Sequence, residues 1–286
     1  MLVTMKEVLE IAERKNIAIG SFNTPTLENL WAVLEAAESM DVPVIIMHAE
    51  LHEPIAPLSF IGPIMVLAAS RSKAKVCVHL DHGEHLSYIK QALDLGFTSV
   101  MYDGSLLPYE ENVRNTKECV RMAKEKGASV EAEIGILGGR ESLDSKKQCK
   151  QEDLYTDPLL AKRFVDDTKI DALACSFGTA HGIYKSKPKL DFARIERIRE
   201  LTGLPIVMHG GSGVSQEDYV KAIECGVRKI NYYSYSAREG TLEARKILSE
   251  NPDLVFYHEV AFAAKEAMKK DVLRAMKVFY EKKVNE

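Results

Sequence analysis

The sequence predicts an α/β fold: a single (β/α)8 barrel domain over residues 1–286, with a helix before the first strand and a helical extension after the last. Three observations predict it. Short runs rich in Val, Ile and Ala recur eight times along the chain. Each is followed by a longer stretch of helical character, as expected for parallel strands covered by helices. No change of composition marks a linker, and 46% hydrophobic residues in a chain of 286 suffice for one large core.

The elements follow in order. A first helix is predicted over 4–15. The strands are IAIGSF (17–22), VPVIIM (42–47), KVCVHL (75–80), SVMYD (99–103), SVEAEI (129–134), IDALACS (170–176), LPIVMH (204–209) and RKINY (228–232). Helical patterns between them include LENLWAVLEAAESM, LSYIKQALDLG, ENVRNTKECVRMAKEKG, FARIERIRELTG and SQEDYVKAIECG. Gly96, Gly127, Gly203 and Gly226 stand where such helices end. Asp191 and Ser215 occupy N-cap positions. A last helix over 259–282 is rich in Lys and Glu with an apolar stripe, suited to a solvated cap or an oligomer contact. An open doubly wound sheet is the alternative, but it usually has fewer strands and often a Gly-rich phosphate turn after the first. Here SFNTPT follows instead.

Several function classes drop out. A formal net charge of −4 lacks the basic footprint of a nucleic-acid binder. No apolar stretch approaches bilayer-spanning length. The opening MLVTMKEVLE lacks the basic-then-apolar order of a signal peptide, so a cytoplasmic chain is expected. Cys77, Cys119, Cys149, Cys175 and Cys225 are odd in number and form no CxxC pair, which argues for reduced thiols and against cysteine-bound zinc.

In a barrel of this kind the C-terminal ends of the strands face the active site. His79, Asp81, His82, Glu84 and His85 cluster after strand 3, and Asp103 ends strand 4. Glu131 and Glu133 end strand 5, and His181 lies after strand 6. His209 ends strand 7, and Asn231 and Ser234 end strand 8. His82, His181 and His209 each precede a glycine, and three imidazoles on a rigid rim suit a zinc ion with an open fourth position. His79 alternates out of phase with its strand neighbours and reads as structural. His48, His52, His85 and His258 read as loop or surface residues. The HGGSG run (209–213) before a helix starting near Ser215 can offer backbone N–H groups to a phosphate.

HLDHG, VEAEIG followed by GG, GTAHGIYK and PIVMHGGSG together resemble the class II, zinc-dependent ketose-bisphosphate aldolases, a family that includes fructose- and tagatose-bisphosphate aldolases. The resemblance spans nearly the whole chain. It implies that His82, His181 and His209 hold a catalytic zinc, with Asp103 and Glu133 near a second or resting metal position. It makes Asp81 the group that handles the C4 hydroxyl proton and Glu141 the mobile acid–base at C3 of dihydroxyacetone phosphate. Asn23, Gly182, Lys185, Gly210, Gly211, Ser212, Asn231, Tyr233 and Ser234 become substrate-binding candidates. A monovalent cation (Na+ or K+) beside the phosphate and a homodimer or homotetramer are implied too.

The chain departs from the family in places. Tyr233 stands where an aspartate or alanine is usual, FNTPT keeps Asn23 but loses later amides, and MHAELHEPIAP replaces a serine-containing loop. Arg140 follows the GG where an acidic residue or glutamine is common. The arginine for a distal phosphate, often supplied by a partner subunit, has only Lys265, Arg274 and Lys277 as candidates. The donor half-site therefore looks kept and the aldehyde half rewritten, so a ketose 1-phosphate or a deoxy-keto-sugar acid phosphate stands beside the ketose bisphosphate. Competing classes are a Schiff-base aldolase using Lys229 or Lys185, a metal-dependent isomerase or epimerase, and a non-catalytic sugar-phosphate binder.

Overall fold

Each apolar run pairs in parallel with the next, and the last returns to the first. In the computed structural model, which describes residues 1–135, 155–184 and 186–282, this closes a barrel in the order β1 to β8. The strands are β1 (Ile19–Asn23), β2 (Val44–Ala49), β3 (Val76–Gly83), β4 (Ser99–Tyr102), β5 (Ser129–Ile134), β6 (Ala172–Cys175), β7 (Ile206–Met208) and β8 (Val227–Tyr232). The helices are α1 (Met5–Lys15), α2 (Leu27–Met40), α3 (Leu58–Arg71), α4 (Leu86–Asp94), α5 (Tyr109–Lys126), α6 (Pro158–Thr168), α7 (Phe192–Thr202), α8 (Gln216–Glu224), α9 (Ser234–Glu250) and α10 (Tyr257–Glu281). Most predicted strands sit within two residues of these bounds. α3 had no amphipathic signature to find: it is apolar almost throughout and carries Pro63.

The nearly continuous apolar strands follow from burial on both faces. Their outward residues, such as Val76, Val78 and Leu80 of β3, pack against the helical ring. Their inward residues form a second core, in which Ile19, Ile45, Cys77, Met101 and Val207 meet Met5, Val8, Leu9 and Ala12 of α1. The first helix is thus a plug at the N-terminal mouth of the barrel. It is started by a capping box between Thr4 and Glu7. The predicted terminators also hold: Gly127 and Gly203 cap their helices at φ 68° and 69°. Asp191 and Ser215 accept the backbone N–H groups of Arg194 and Asp218. Among the described residues no helix is long and apolar enough to cross a membrane.

Candidate active site

Strand alternation sends residues 81 and 82 to opposite faces, yet both are needed on one rim. The backbone solves this at His82, whose φ of 44° lies in the left-handed region. The register with β4 slips between Leu80 and Gly83 at the same point. Gly83 completes the turn, where a Cβ would lie 2.9 Å from the Met101 carbonyl oxygen.

His82 then meets the imidazoles delivered by β7 and by the loop after β6. His82 Nε2 lies 2.9 Å from His209 Nδ1. The His181 ring centroid is 5.0 Å from that of His82 and 5.7 Å from that of His209. Candidate ligand atoms of the three fall within 4.8 Å of one another, as do those of His82, Asp103 and Glu133. The outer nitrogens are held by carboxylates: His82 Nδ1 lies 2.7 Å from Asp103 Oδ2, and His209 Nε2 lies 2.8 Å from Glu131 Oε1. Such outer partners fix the ring and its tautomer in metal-binding histidines. Nδ1 of His181 is buried with no hydrogen-bond partner. A donor set of three nitrogens, two of them carboxylate-backed and one carrying an orphaned nitrogen, fits a zinc-like cation.

The electrostatics ask for a cation as well. Burial opposes a charge on His82, but Asp81 and Asp103 outweigh it and push its pKa up to about 10. Burial and the neighbouring imidazoles lower His181 to about 3 and lower His209 too. Asp81 resists the upward push of burial and is held well below the usual carboxylate range by His82 and His209. Its oxygens accept from two amides, Asn23 Nδ2 at 3.1 Å and Asn231 Nδ2 at 3.2 Å. That fixes the carboxylate toward the cavity while leaving it lone pairs.

The cavity holds about 350 Å³ and is lined by Asn23, Asp81, His82, His181, Gly182, Gly210, Ser212, Asn231, Tyr232, Tyr233 and Ser234, together with Glu50, Leu51, Glu84 and His85. Most candidate residues therefore line this cavity; His209, Asp103 and Glu133 do not line it but gather on His82, and three others stand apart. Glu141 and Lys185 lie outside the described residues. Gly211 is spent on structure: its N–H donates to the Asn231 carbonyl at 3.0 Å and its own carbonyl accepts from Tyr219. Gly210 adopts φ 60°, where a Cβ would lie 2.3 Å from the Ala180 carbonyl oxygen, so no other residue fits. Ser212 Oγ accepts the Tyr233 N–H at 2.9 Å, and Ser234 opens α9, whose N-terminus suits an anion.

Some features had no clear sequence signal. Beneath the imidazoles a charged layer crosses the barrel. Lys229 and Glu131, both fully buried, face each other at 2.8 Å, with His79 Nε2 at 3.8 Å from the same carboxylate. His79 is structural as expected, its Nδ1 bonded to Ser99 Oγ at 2.7 Å. Lys229 is fully buried in this pair and does not line the cavity, which argues against it as a Schiff-base lysine. The reading of His48 and His52 as surface residues is corrected. They are 0% and 3% exposed, because β2 and the turn after it fold inward beside Asp81. His85 and His258 are exposed, as read. Lys265 pairs with Glu35 and Glu266, and Arg274 with Asp271.

A closed parallel barrel whose C-terminal rim gathers three imidazoles beside an amide-held carboxylate defines a (β/α)8 protein with a candidate metal centre. Known proteins sharpen the class. The sequence pattern of the class-II fructose-bisphosphate aldolases matches residues 3–283. A fructose-bisphosphate aldolase from Geobacillus stearothermophilus is 38% identical over 97% of this chain and 96% of its own. One from Staphylococcus aureus strain Mu50 is 38% identical over 97% of both. The crystal structure of the YdjI aldolase from Escherichia coli K12 superposes with a TM-score of 0.85 and 33% identity, covering 98% of this chain and 97% of the other. The chain belongs to the class-II fructose-bisphosphate aldolase family and is an aldolase, a carbon–carbon lyase. Zinc dependence is general in that family.

Proposed function

We propose that the protein reversibly cleaves a ketose phosphate to dihydroxyacetone phosphate and an aldehyde, with His82, His181 and His209 holding a zinc ion. The observation that carries this reading is the convergence of those three imidazoles next to a cavity lined by His82, His181 and Asp81. A bound zinc would act as a Lewis acid on the ketone oxygen, spreading the charge left when the C3–C4 bond breaks. Asp81, steadied by Asn23 and Asn231, takes the proton of the C4 hydroxyl. The substrate phosphate is assigned to the rim formed by Gly182, Gly210, Ser212 and Ser234 at the start of α9. Glu141, Lys185, Asp103 and Glu133 keep the roles implied by the resemblance: proton transfer at C3, substrate contact and second-site ligation. A monovalent cation near the phosphate rests on the resemblance too. A homodimer or homotetramer is supported by the exposed Val255, Phe256, Tyr257 and Phe262 around the start of α10.

The names of the relatives favour fructose 1,6-bisphosphate, or its tagatose epimer, as substrate. A second reading, cleavage of a ketose 1-phosphate, is favoured by the Glu50 and Glu84 carboxylates in the cavity wall, which would repel a distal phosphate; the same repulsion counts against a deoxy-keto-sugar acid phosphate. The test begins with deuterium exchange at C3 of dihydroxyacetone phosphate, followed by NMR. Exchange should be stereospecific, stop with EDTA and return with zinc; no exchange in zinc-loaded protein would defeat the proposal. The ratio of kcat/KM for fructose 1,6-bisphosphate and fructose 1-phosphate then decides between the substrates.

A further inference from the structure

Two buried histidines stand behind the cavity without a role in the proposed chemistry. His52 closes the turn Glu50–His52 after β2, and its Nδ1 is buried with no hydrogen-bond partner. Its ring packs on Tyr233 with centroids 5.7 Å apart and on His48 at 6.0 Å. His48 Nε2 reaches Tyr88 Oη at 3.2 Å, and that hydroxyl donates to Glu53 at 2.6 Å. Glu53 in turn accepts the N–H of Leu58 at the start of α3. The Tyr233 ring is therefore backed by a packed series that ends on two helices. Burial lowers the pKa of both imidazoles, that of His48 to about 4.

The same turn shapes the cavity directly. Leu51 and Glu50 enter its wall, and Glu50 Oε2 accepts the N–H groups of Glu84 at 2.7 Å and His85 at 3.2 Å, clipping the loops after β2 and β3 together. If the phosphate lies at Ser212 and Ser234 and the imidazoles mark the reacting centre, the remaining wall is Glu50, Leu51, Glu84, His85, Tyr232 and Tyr233. The departing aldehyde faces that wall. An aromatic face accepts a C–H surface, and carboxylates accept hydroxyl protons.

We propose that His52 is a positioning residue that sets Tyr233 as the wall of the aldehyde half-site, so that the Glu50–His52 turn selects a hydroxylated aldehyde. This rests on the aldolase reading. The test uses the zinc-loaded full chain with His52→Ala, His52→Phe and, should the alanine variant fail to fold, the bulkier His52→Leu. C3 exchange of dihydroxyacetone phosphate reads the donor half alone, and condensation with glyceraldehyde or glycolaldehyde reads both halves.

Loss of the ring should lower kcat/KM for condensation by roughly 10–100-fold, the scale of an ångström-level misplacement. It should raise the aldehyde KM and change the preference between the two aldehydes, while exchange stays within about 2-fold, well short of that misplacement penalty. His52→Phe, which keeps a ring, should restore condensation. Equal loss of exchange and condensation, no loss of condensation, or a phenylalanine variant as impaired as the ringless one would overturn the proposal. Absence of exchange in the unmutated protein would instead overturn the aldolase reading beneath it.

Discussion

Glu131→Gln is the most informative single change outside the cavity wall. Glu131 divides its oxygens between two tasks: Oε1 holds His209 Nε2 at 2.8 Å, and Oε2 faces the Lys229 ammonium at 2.8 Å. All three side chains are fully buried. Glutamine keeps the shape but strands a buried ammonium without its counter-charge, a loss of roughly 3–5 kcal/mol. For a chain of this size that corresponds to a fall in Tm of roughly 6–20 °C. The amide also orients His209 less firmly, so zinc affinity should fall roughly 10–100-fold. Differential scanning calorimetry of the metal-free protein reads the first effect, and chelator competition reads the second. Adding Lys229→Met removes the stranded charge and should recover most of the Tm but not the zinc affinity. Burial pushes Glu131 up, yet Lys229 and His209 hold it near about 2, below its ordinary 4.5. Its stabilisation is therefore fully present above pH 4.5 and is lost as pH falls toward about 2, so the gap between variant and parent should narrow only in acid. A single variant losing under about 1 kcal/mol, or a double variant no more stable than the single, would refute the argument for a buried pair.

Three further outcomes follow. Asp81→Asn should lower ketose phosphate cleavage by roughly 10²–10⁴-fold, the usual contribution of a general base, while C3 exchange of dihydroxyacetone phosphate survives; parallel loss of both in a steady-state assay would assign Asp81 to the donor half. Because His82 is raised to about 10 and must shed its proton to bind a metal, zinc affinity should climb about tenfold per pH unit from neutrality toward that value; a flat competition titration would contradict this. Gly210→Ala places a methyl against the Ala180 carbonyl at φ 60°, so thermal unfolding should show a loss of more than about 1 kcal/mol; a neutral result would mean the loop re-forms freely.

The sequence by itself determined the barrel and the imidazoles. Alternation of apolar runs with helical stretches is a local property, written into β1 through β8 because each strand is buried on both faces. The HG pairs at His82, His181 and His209 were legible for a similar reason: glycine beside a polar residue at a strand end marks a tight rim. Only the tertiary structure decided the rest. Strand alternation forbids Asp81 and His82 from sharing a face, and the left-handed backbone at His82 overrides it. The Glu131–Lys229 pair joins residues nearly a hundred positions apart, and nothing local marks either as buried. His48 and His52 read as loop histidines because their polarity is in the sequence, whereas their burial arises from the inward fold of the turn that packs them behind Tyr233. Periodicity reports which way a residue faces, and closure of the barrel decides what it meets there.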